Sequence, residues 1–175
     1  MSEGEHVWIH RDYLKCSGCR RCEIVCSLSH EGKIWPEASR VKVFMLVPGV
    51  EVPHLCTQCH DYPCVSACPF SALSVSKETG AVLVDKEKCT ACGKCIEGCP
   101  GKIPFIHPAE KHIVICDLCG GAPKCVEACS KGRWNALQCV TREDIYTFKL
   151  YAKTPEEITR DVIVQLYGEE WKGEV

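Results

Sequence analysis

Hydrophobic and polar residues alternate over short stretches of this 175-residue chain, a pattern that predicts half-buried β-strands rather than long helices. Turn residues at 77–80 and 108–111 separate neighbouring stretches and predict two β-hairpins. Pro48 and Gly49 end another stretch, which we expect to form an edge strand or a clamp loop. The predicted strands cover residues 7–10, 40–47, 72–76, 81–85, 103–107, 112–115, 134–140 and 144–151.

A helix is predicted near the end of the chain, at residues 155–167. The sequence T-P-E-E, which starts at Thr154, combines a capping box with proline at the first helical position. Ile158, Val162 and Leu166 share one face of this helix, and we expect that face to pack on the body of the protein. Docking of a partner subunit is the alternative role for the helix.

Cysteine is the residue type that most changes this picture. Seventeen cysteines, about one residue in ten, indicate either a secreted disulfide scaffold or a metalloprotein. Sixteen of them repeat one template four times: Cys, two residues, Cys, a short gap, Cys, three residues, Cys. The four runs are Cys16/Cys19/Cys22/Cys26, Cys56/Cys59/Cys64/Cys68, Cys89/Cys92/Cys95/Cys99 and Cys116/Cys119/Cys125/Cys129. Cys139 lies outside the runs, and we expect it to be a buried free thiol.

The cellular compartment separates these two classes of protein. The segment before the first cysteine run has no apolar stretch of the kind that a signal peptide needs. No later stretch has the apolar length of a membrane span. We therefore expect a cytoplasmic protein without direct membrane insertion, in which the thiols stay reduced and bind metal.

The cysteine spacing is typical of [4Fe-4S] clusters. Two residues between cysteines let three thiolates point inward from one loop, and in two-cluster ferredoxins the fourth ligand comes from another run. The runs therefore work in pairs, which are either sequential or nested. Runs two and three end in Cys-Pro and are joined by a predicted hairpin, which favours nesting. The expected modules are residues 53–115, then 1–52 together with 116–153, with a helix and tail at 154–175.

Under nested pairing, each cluster takes three cysteines from one run and the last cysteine of the partner run. The four expected ligand sets are Cys16, Cys19, Cys22 with Cys129; Cys116, Cys119, Cys125 with Cys26; Cys56, Cys59, Cys64 with Cys99; and Cys89, Cys92, Cys95 with Cys68. The predicted fold class is α+β, with duplicated two-cluster ferredoxin-like modules, short hairpins and a C-terminal helix. The expected cofactors are four [4Fe-4S] clusters.

Charge and motifs narrow the possible functions. The formal net charge of -2 counts each cysteine as neutral. Sixteen thiolates and four oxidised cores of about +2 each would bring the loaded protein to about -10. The chain has no basic run of the density found on nucleic-acid surfaces, so no nucleic-acid partner is expected. It also lacks the motifs of nucleophilic, phosphate-binding or dinucleotide-binding sites, which predicts no catalytic residue and no enzyme activity of its own.

Two other metal chemistries compete for the same cysteines. Paired C-x-x-C motifs also build zinc ribbons, which would make the chain a zinc-stabilised interaction module. Each run here supplies four thiolates within a short segment, whereas a zinc ribbon separates its two pairs by a long loop. Cys56, Cys59 and His60 spell the haem c signature, but Cys64 and Cys68 extend the segment into the cluster template.

The motifs resemble those of a known family, the four-cluster ferredoxin-type electron-transfer subunits of oxidoreductases. The stretch CTQCHDYPCVSACP, which starts at Cys56, looks like the second motif of small subunits of the dimethyl sulfoxide reductase and formate dehydrogenase type. CDLC from Cys116 with CVEAC from Cys125 is similar to their fourth motif. The opening run, CSGCRRCEIVCS from Cys16, looks most like the small subunit that accompanies tungsten-pterin aldehyde oxidoreductases.

The resemblance covers roughly residues 7–140 and implies nested pairing and a relay function. It implies a separate large catalytic subunit, with tungsten- or molybdenum-pterin, and a soluble electron carrier such as ferredoxin as the acceptor. Formate dehydrogenases, hydrogenases and molybdenum reductases are the alternative partners. Runs one and four depart from the family pattern, because serine rather than proline follows the last cysteine.

Overall fold

The structure is a computed structural model that describes residues 7–141, 150–171 and 173. Short strands and helices alternate along this part of the chain. The strands are β1 (Val7–Arg11), β2 (Lys42–Val47), β3 (Val50–His54), β4 (Leu73–Val75), β5 (Val82–Val84), β6 (Phe105–Ile106), β7 (Ile113–Val114) and β8 (Leu137–Thr141). The helices are α1 (Arg21–Glu31), α2 (Pro63–Ser66), α3 (Lys94–Gly98), α4 (Lys124–Lys131) and α5 (Pro155–Tyr167).

The described strands form four two-stranded antiparallel sheets. Two of them, β4–β5 and β6–β7, are the hairpins predicted from the turns. A third sheet pairs β1 with β8, so that Val7 lies opposite Thr141 and Arg11 lies opposite Leu137. The first and last cysteine runs are thereby brought to the same part of the molecule. The observed fold is a mixture of helices and small antiparallel sheets.

The fourth sheet, β2–β3, contains a strand that the sequence analysis missed. The chain turns at Pro48 and Gly49 and returns as β3, whose Pro53 lies opposite Val43. Proline is unfavourable inside a sheet, but in a two-stranded sheet its missing N–H can face away from the partner strand. Residues 50–54 can therefore form a strand although they include Pro53.

The cysteine helices pack in two pairs. Helix α1 packs on α4, and we call these two the outer helix pair. Helix α2 packs on α3, and these two are the inner helix pair. The main core lies between them, where buried cysteines pack with aliphatic side chains such as Ile9, Val41, Leu55 and Leu118. The ordinary apolar core is small because sulfur occupies much of it.

Helix α5 begins with the predicted capping box. The Thr154 hydroxyl accepts a hydrogen bond from the Glu157 N–H at 3.4 Å, and the Glu157 carboxylate accepts one from the Thr154 N–H at 2.8 Å. Ile158 and Val162 are buried against β3 as expected, with Ile163 beside them. The prediction for Leu166 was wrong, because it lies in the last turn and is 46% exposed.

The last strand predicted from the sequence is not observed as a strand where the structure describes it. The strand expected at residues 144–151 mostly lies outside the described residues, at 144–149, while Leu150 and Tyr151 are helical.

Cys139 is exposed, so the prediction of a buried thiol was wrong. It lies on β8 opposite Ile9, which is only 1% exposed, so pairing with a buried residue does not by itself cover the thiol. Within residues 7–141 and 150–171, none of the helices has the length and apolar character needed to cross a membrane.

Candidate metal centres

Four cavities are each lined by four cysteines, three from one run and the last cysteine of another. The cavities are site 1 (Cys16, Cys19, Cys22, Cys129), site 2 (Cys26, Cys116, Cys119, Cys125), site 3 (Cys56, Cys59, Cys64, Cys99) and site 4 (Cys68, Cys89, Cys92, Cys95). Each site therefore contains the four cysteines that the sequence analysis grouped together.

Helix geometry explains why one run serves two sites. Cys22 and Cys26 are four residues apart on α1, so they lie on the same helix face about one turn apart. Cys22 lines site 1 and Cys26 lines site 2. Helix α4 runs alongside and does the reverse, with Cys125 in site 2 and Cys129 in site 1. The inner helix pair repeats this exchange between sites 3 and 4.

The four sites follow one another in a row. Sites 1 and 2 share the outer helix pair, and sites 3 and 4 share the inner helix pair. Sites 2 and 3 are joined by adjacent residues, because Leu55 lines site 2 while Cys56 lines site 3. The buried Gln58 side chain strengthens this junction by donating to the Cys116 carbonyl at 2.9 Å and accepting from the Val82 N–H at 3.2 Å.

The two ends of the row reach the surface. Cys19 in site 1 and Cys92 in site 4 are exposed, whereas no cysteine of site 2 or site 3 is. At sites 2 and 3 the most accessible cysteines, Cys119 and Cys59, are only partly exposed.

Sulfur is the dominant donor atom in each cavity, and backbone N–H groups point at several of the sulfurs. The N–H of Ile113 lies 3.3 Å from Cys89 Sγ, and the N–H of Ala72 lies 3.4 Å from Cys68 Sγ. Such bonds stabilise negative charge on thiolate ligands. All-cysteine donor sets of this kind suit iron–sulfur clusters or zinc, and hydrogen bonds to sulfur are a known lever on cluster potential.

The most deeply buried thiols in these cavities need a nearby cation to ionise. Burial raises the pKa of Cys22 and of Cys64 to about 12, and it raises the pKa of Cys56 well above its usual value. Burial also raises the pKa of Cys59 to about 11, with the Cys99 and Asp61 charges acting in the same direction and the Arg11 charge opposing them. Iron supplies the positive charge that converts such thiols to thiolates, so the cavities fit [4Fe-4S] clusters.

Site 2 has a polar neighbour that the sequence analysis did not single out. His30 lies one turn after Cys26 on α1; its Nδ1 is 2.8 Å from the Cys26 carbonyl and its Nε2 is 3.2 Å from Asp117 Oδ1. The Asp117 carboxylate, followed by the Cys119 and Cys26 sulfurs, holds the pKa of His30 well above its usual range. Because the Cys119 sulfur lines site 2, we interpret His30 and Asp117 as part of its surroundings rather than as a separate metal site.

Electrostatics around Cys26 reflect these contacts. Burial alone would raise the pKa of the Cys26 thiol, but hydrogen bonds from His30 and from the Arg40 N–H hold that pKa below its usual value. The Arg40 N–H lies 3.3 Å from Cys26 Sγ. The only sequence signal for this arrangement is the four-residue spacing between Cys26 and His30, which places both on one helix face.

Several known proteins are similar in sequence to this chain. The model of the 4Fe-4S dicluster domain family matches residues 48–139. An aliphatic sulfonate oxidoreductase, polyferredoxin-like subunit, of Pyrococcus furiosus is 53% identical over 95% of this chain and 96% of that protein. Electron transport protein HydN of Escherichia coli is 31% identical over 79% of this chain and 90% of its own length. Subunit beta of the NADH-dependent phenylglyoxylate dehydrogenase of Aromatoleum evansii is 33% identical over 77% of this chain and 30% of that protein.

The matched relatives are electron-transfer proteins or subunits, and the family match covers more than half of the chain. Sixteen cysteines in four ferredoxin-type motifs provide for four [4Fe-4S] clusters, and the role of the chain is electron transfer rather than catalysis. The chain therefore belongs to the 4Fe-4S dicluster ferredoxin family, as a polyferredoxin-like electron-transfer protein.

Proposed function

We propose that sites 1 to 4 each bind one [4Fe-4S] cluster through the four cysteines that line them, and that electrons pass along the row. The observation that carries this proposal is the exchange of the last cysteine between runs, which gives every site four sulfurs. Neighbouring sites share a helix pair or adjacent residues, so each electron transfer covers a short distance. The same exchange supports two modules, residues 53–115 and residues 1–52 with 116–153.

Electrons enter at one exposed end and leave at the other. Cys19 and Cys92 mark these ends, and each lies beside an exposed aromatic side chain that lines the same cavity: Trp134 at site 1 and Phe70 at site 4. A catalytic oxidoreductase subunit binds one end and a soluble carrier such as ferredoxin binds the other. We place this exchange in the cytoplasm, where the sixteen ligand thiols stay reduced before cluster insertion.

The first candidate for the catalytic partner is a tungsten-pterin aldehyde oxidoreductase. It is proposed because the first cysteine run resembles that of the small subunit which accompanies such enzymes. A second candidate is a partner that acts on aliphatic sulfonates, and one observation favours it: the Pyrococcus furiosus relative, 53% identical over 95% of this chain, is named for that activity. Both candidates use this chain in the same way, as the carrier of electrons away from a separate catalytic subunit.

Metal analysis of anaerobically prepared protein tests the cluster assignment. We expect about sixteen irons per chain, four at each of four sites, and a broad visible band that dithionite bleaches. EPR spectra of the reduced protein should show interacting clusters. A colourless protein with zinc instead of iron would contradict the proposal.

Co-purification from the native cells tests the partner. Recovery with a large chain that contains tungsten or molybdenum is expected. Anaerobic mixing of that complex with an aldehyde or with an aliphatic sulfonate should then show which substrate reduces the clusters. Recovery of this chain alone, as a free ferredoxin, would contradict the subunit role.

A further inference from the structure

A buried arginine lies behind site 3. Arg11, the last residue of β1, is 1% exposed. Its Nη2 donates hydrogen bonds to the carbonyl oxygens of Leu55 and Cys56, both at 2.9 Å, and its Nη1 lies 3.4 Å from Thr57 Oγ1. The guanidinium carbon is 5.1 Å from the centroid of the Tyr151 ring. All of these neighbours are uncharged.

Among the described residues, no carboxylate forms an ion pair with Arg11, and its Nε has no hydrogen-bond partner. Arginine stays protonated in proteins, so this position holds a full positive charge away from water. A buried charge is costly unless an opposite charge compensates it. Arg40 differs from Arg11 in this respect, because its positive charge is compensated by the Glu31 carboxylate 3.7 Å away.

The compensating charge is available on the other side of the backbone that Arg11 holds. Cys56 and Thr57, which follow Leu55, line site 3. A [4Fe-4S] core of about +2 with four thiolates carries a net charge of about -2, and reduction adds one more negative charge. A cluster bound at site 3 would therefore place an anionic group across a single peptide segment from the guanidinium, which is itself shielded from water.

We propose that Arg11 is the counter-ion of site 3 and raises the reduction potential of the cluster bound there. The inference rests on the ligand assignment given under the proposed function. A fixed positive charge stabilises the reduced state more than the oxidised state, because the reduced state carries the larger negative charge. Site 3 thus holds the electron more firmly than it would beside a neutral side chain.

Redox titration of the full chain, followed by EPR, tests the role of Arg11. In Arg11→Gln, we expect the reduction equilibrium of one cluster at fixed potential to shift at least tenfold towards the oxidised form, which corresponds to about 59 mV for one electron. Arg11→Lys keeps the charge, so its shift should be less than half of that seen in Arg11→Gln. Lys15→Gln is the matched control, because it removes one positive charge from a side chain that is 55% exposed and paired with Asp12.

Cys59→Ser, which changes the EPR signal of site 3, identifies the cluster that responds. Iron analysis of the parent protein tests the cluster assignment separately, so failure of that assignment is distinguishable from failure of this inference. A second supporting result is that Arg11→Gln loses iron while Arg11→Lys stays fully loaded with an unchanged potential. That result would also support the role of the Arg11 charge as the counter-ion of site 3. An equal shift in Arg11→Lys, an equal shift in Lys15→Gln, or loss of iron in both Arg11 variants would overturn it.

Discussion

The outer and inner helix pairs hold their cysteines by the same exchange but with helices of different length. Helices α1 and α4 have 11 and 8 residues, whereas α2 and α3 have 4 and 5. The residue after the fourth cysteine accounts for the difference. It is proline in the inner pair, and proline disfavours helical backbone at the residue before it, so neither helix continues through its fourth cysteine: α2 ends at Ser66 and α3 at Gly98. Cys99 accordingly has an extended backbone, with φ -84° and ψ 122°.

Serine follows the fourth cysteine in the outer pair, and the added helical turn places useful side chains. The Ser27 hydroxyl donates to the Glu23 carbonyl at 3.0 Å and accepts from the Trp35 N–H at 3.1 Å. His30 reaches Asp117, and Glu31 lies 3.2 Å from His107 Nε2. The outer pair is therefore held by side chains from distant segments. The residue after each fourth cysteine therefore separates the two pairs. Serine lets the outer helices continue and make side-chain contacts with distant segments, whereas proline goes with short inner helices.

The largest expected effect concerns the exchange itself, which both helix pairs share. Cys99→Ser should perturb site 3, whose other three ligands belong to run two, and Cys129→Ser should perturb site 1. Loss of the affected cluster would remove about four irons per chain. Iron analysis and EPR of each variant provide the measurement. If Cys99→Ser instead disturbed site 4, the crossed ligand scheme would be wrong.

A second prediction tests the difference in helix length. Ser27→Pro should destabilise the protein by roughly 3 kcal/mol or more, because proline removes a hydrogen bond inside α1 and clashes with the preceding turn. Pro100→Ser is the matched change in the inner pair; Pro100 is exposed, so we expect a change within about 0.5 kcal/mol. Thermal unfolding under anaerobic conditions compares the two. Similar losses in both variants would remove the distinction between the pairs.

A third prediction concerns the side-chain contact that only the outer pair possesses. His30→Gln and Asp117→Asn should each destabilise the loaded protein by about 1.5 to 3 kcal/mol, because each breaks a charge-assisted hydrogen bond. The side-chain amide oxygen in Asp117→Asn can still accept the hydrogen bond that the Cys119 N–H donates at 2.9 Å, so that contact is kept. In a double-mutant cycle, the combined variant should lose less than the sum of the two. Simple additivity would show that the contact does not couple α1 to site 2.

The smallest expected effect lies outside both helix pairs, at His54 on β3. Burial lowers the pKa of His54 to about 4, while the unfolded chain binds the proton near its ordinary value of 6.5. Stability is therefore full above about pH 6.5 and falls as the pH decreases towards 4, by about 1 to 2 kcal/mol between pH 6.5 and pH 5. His54→Gln should remove this decline in thermal midpoint. His60→Gln, at an exposed position, serves as the control and should behave like the unchanged protein.

Much of the architecture could be predicted from local signals. The turns at residues 77–80 and 108–111 predicted two hairpins correctly, and the capping box at Thr154 predicted the start of α5. These elements depend on residues close together in the chain. Strand β3 was missed because Pro53 is acceptable only when no second partner strand is present. The exposure of Cys139 was misjudged because the burial of a strand residue depends on what packs against its side chain in the folded protein.

The sequence by itself determined the chemistry: sixteen thiolates at ferredoxin spacing specify iron–sulfur clusters, and proline or serine after each fourth cysteine specifies where the helices end. Only the tertiary structure decided the order of the sites, the exposure of Cys19 and Cys92, and the positions of Arg11 and His30 beside sites 3 and 2. The physical reason is that ligand spacing is a local property of the chain. The charge and exposure of a site arise from segments that are distant in sequence and meet only in the folded protein.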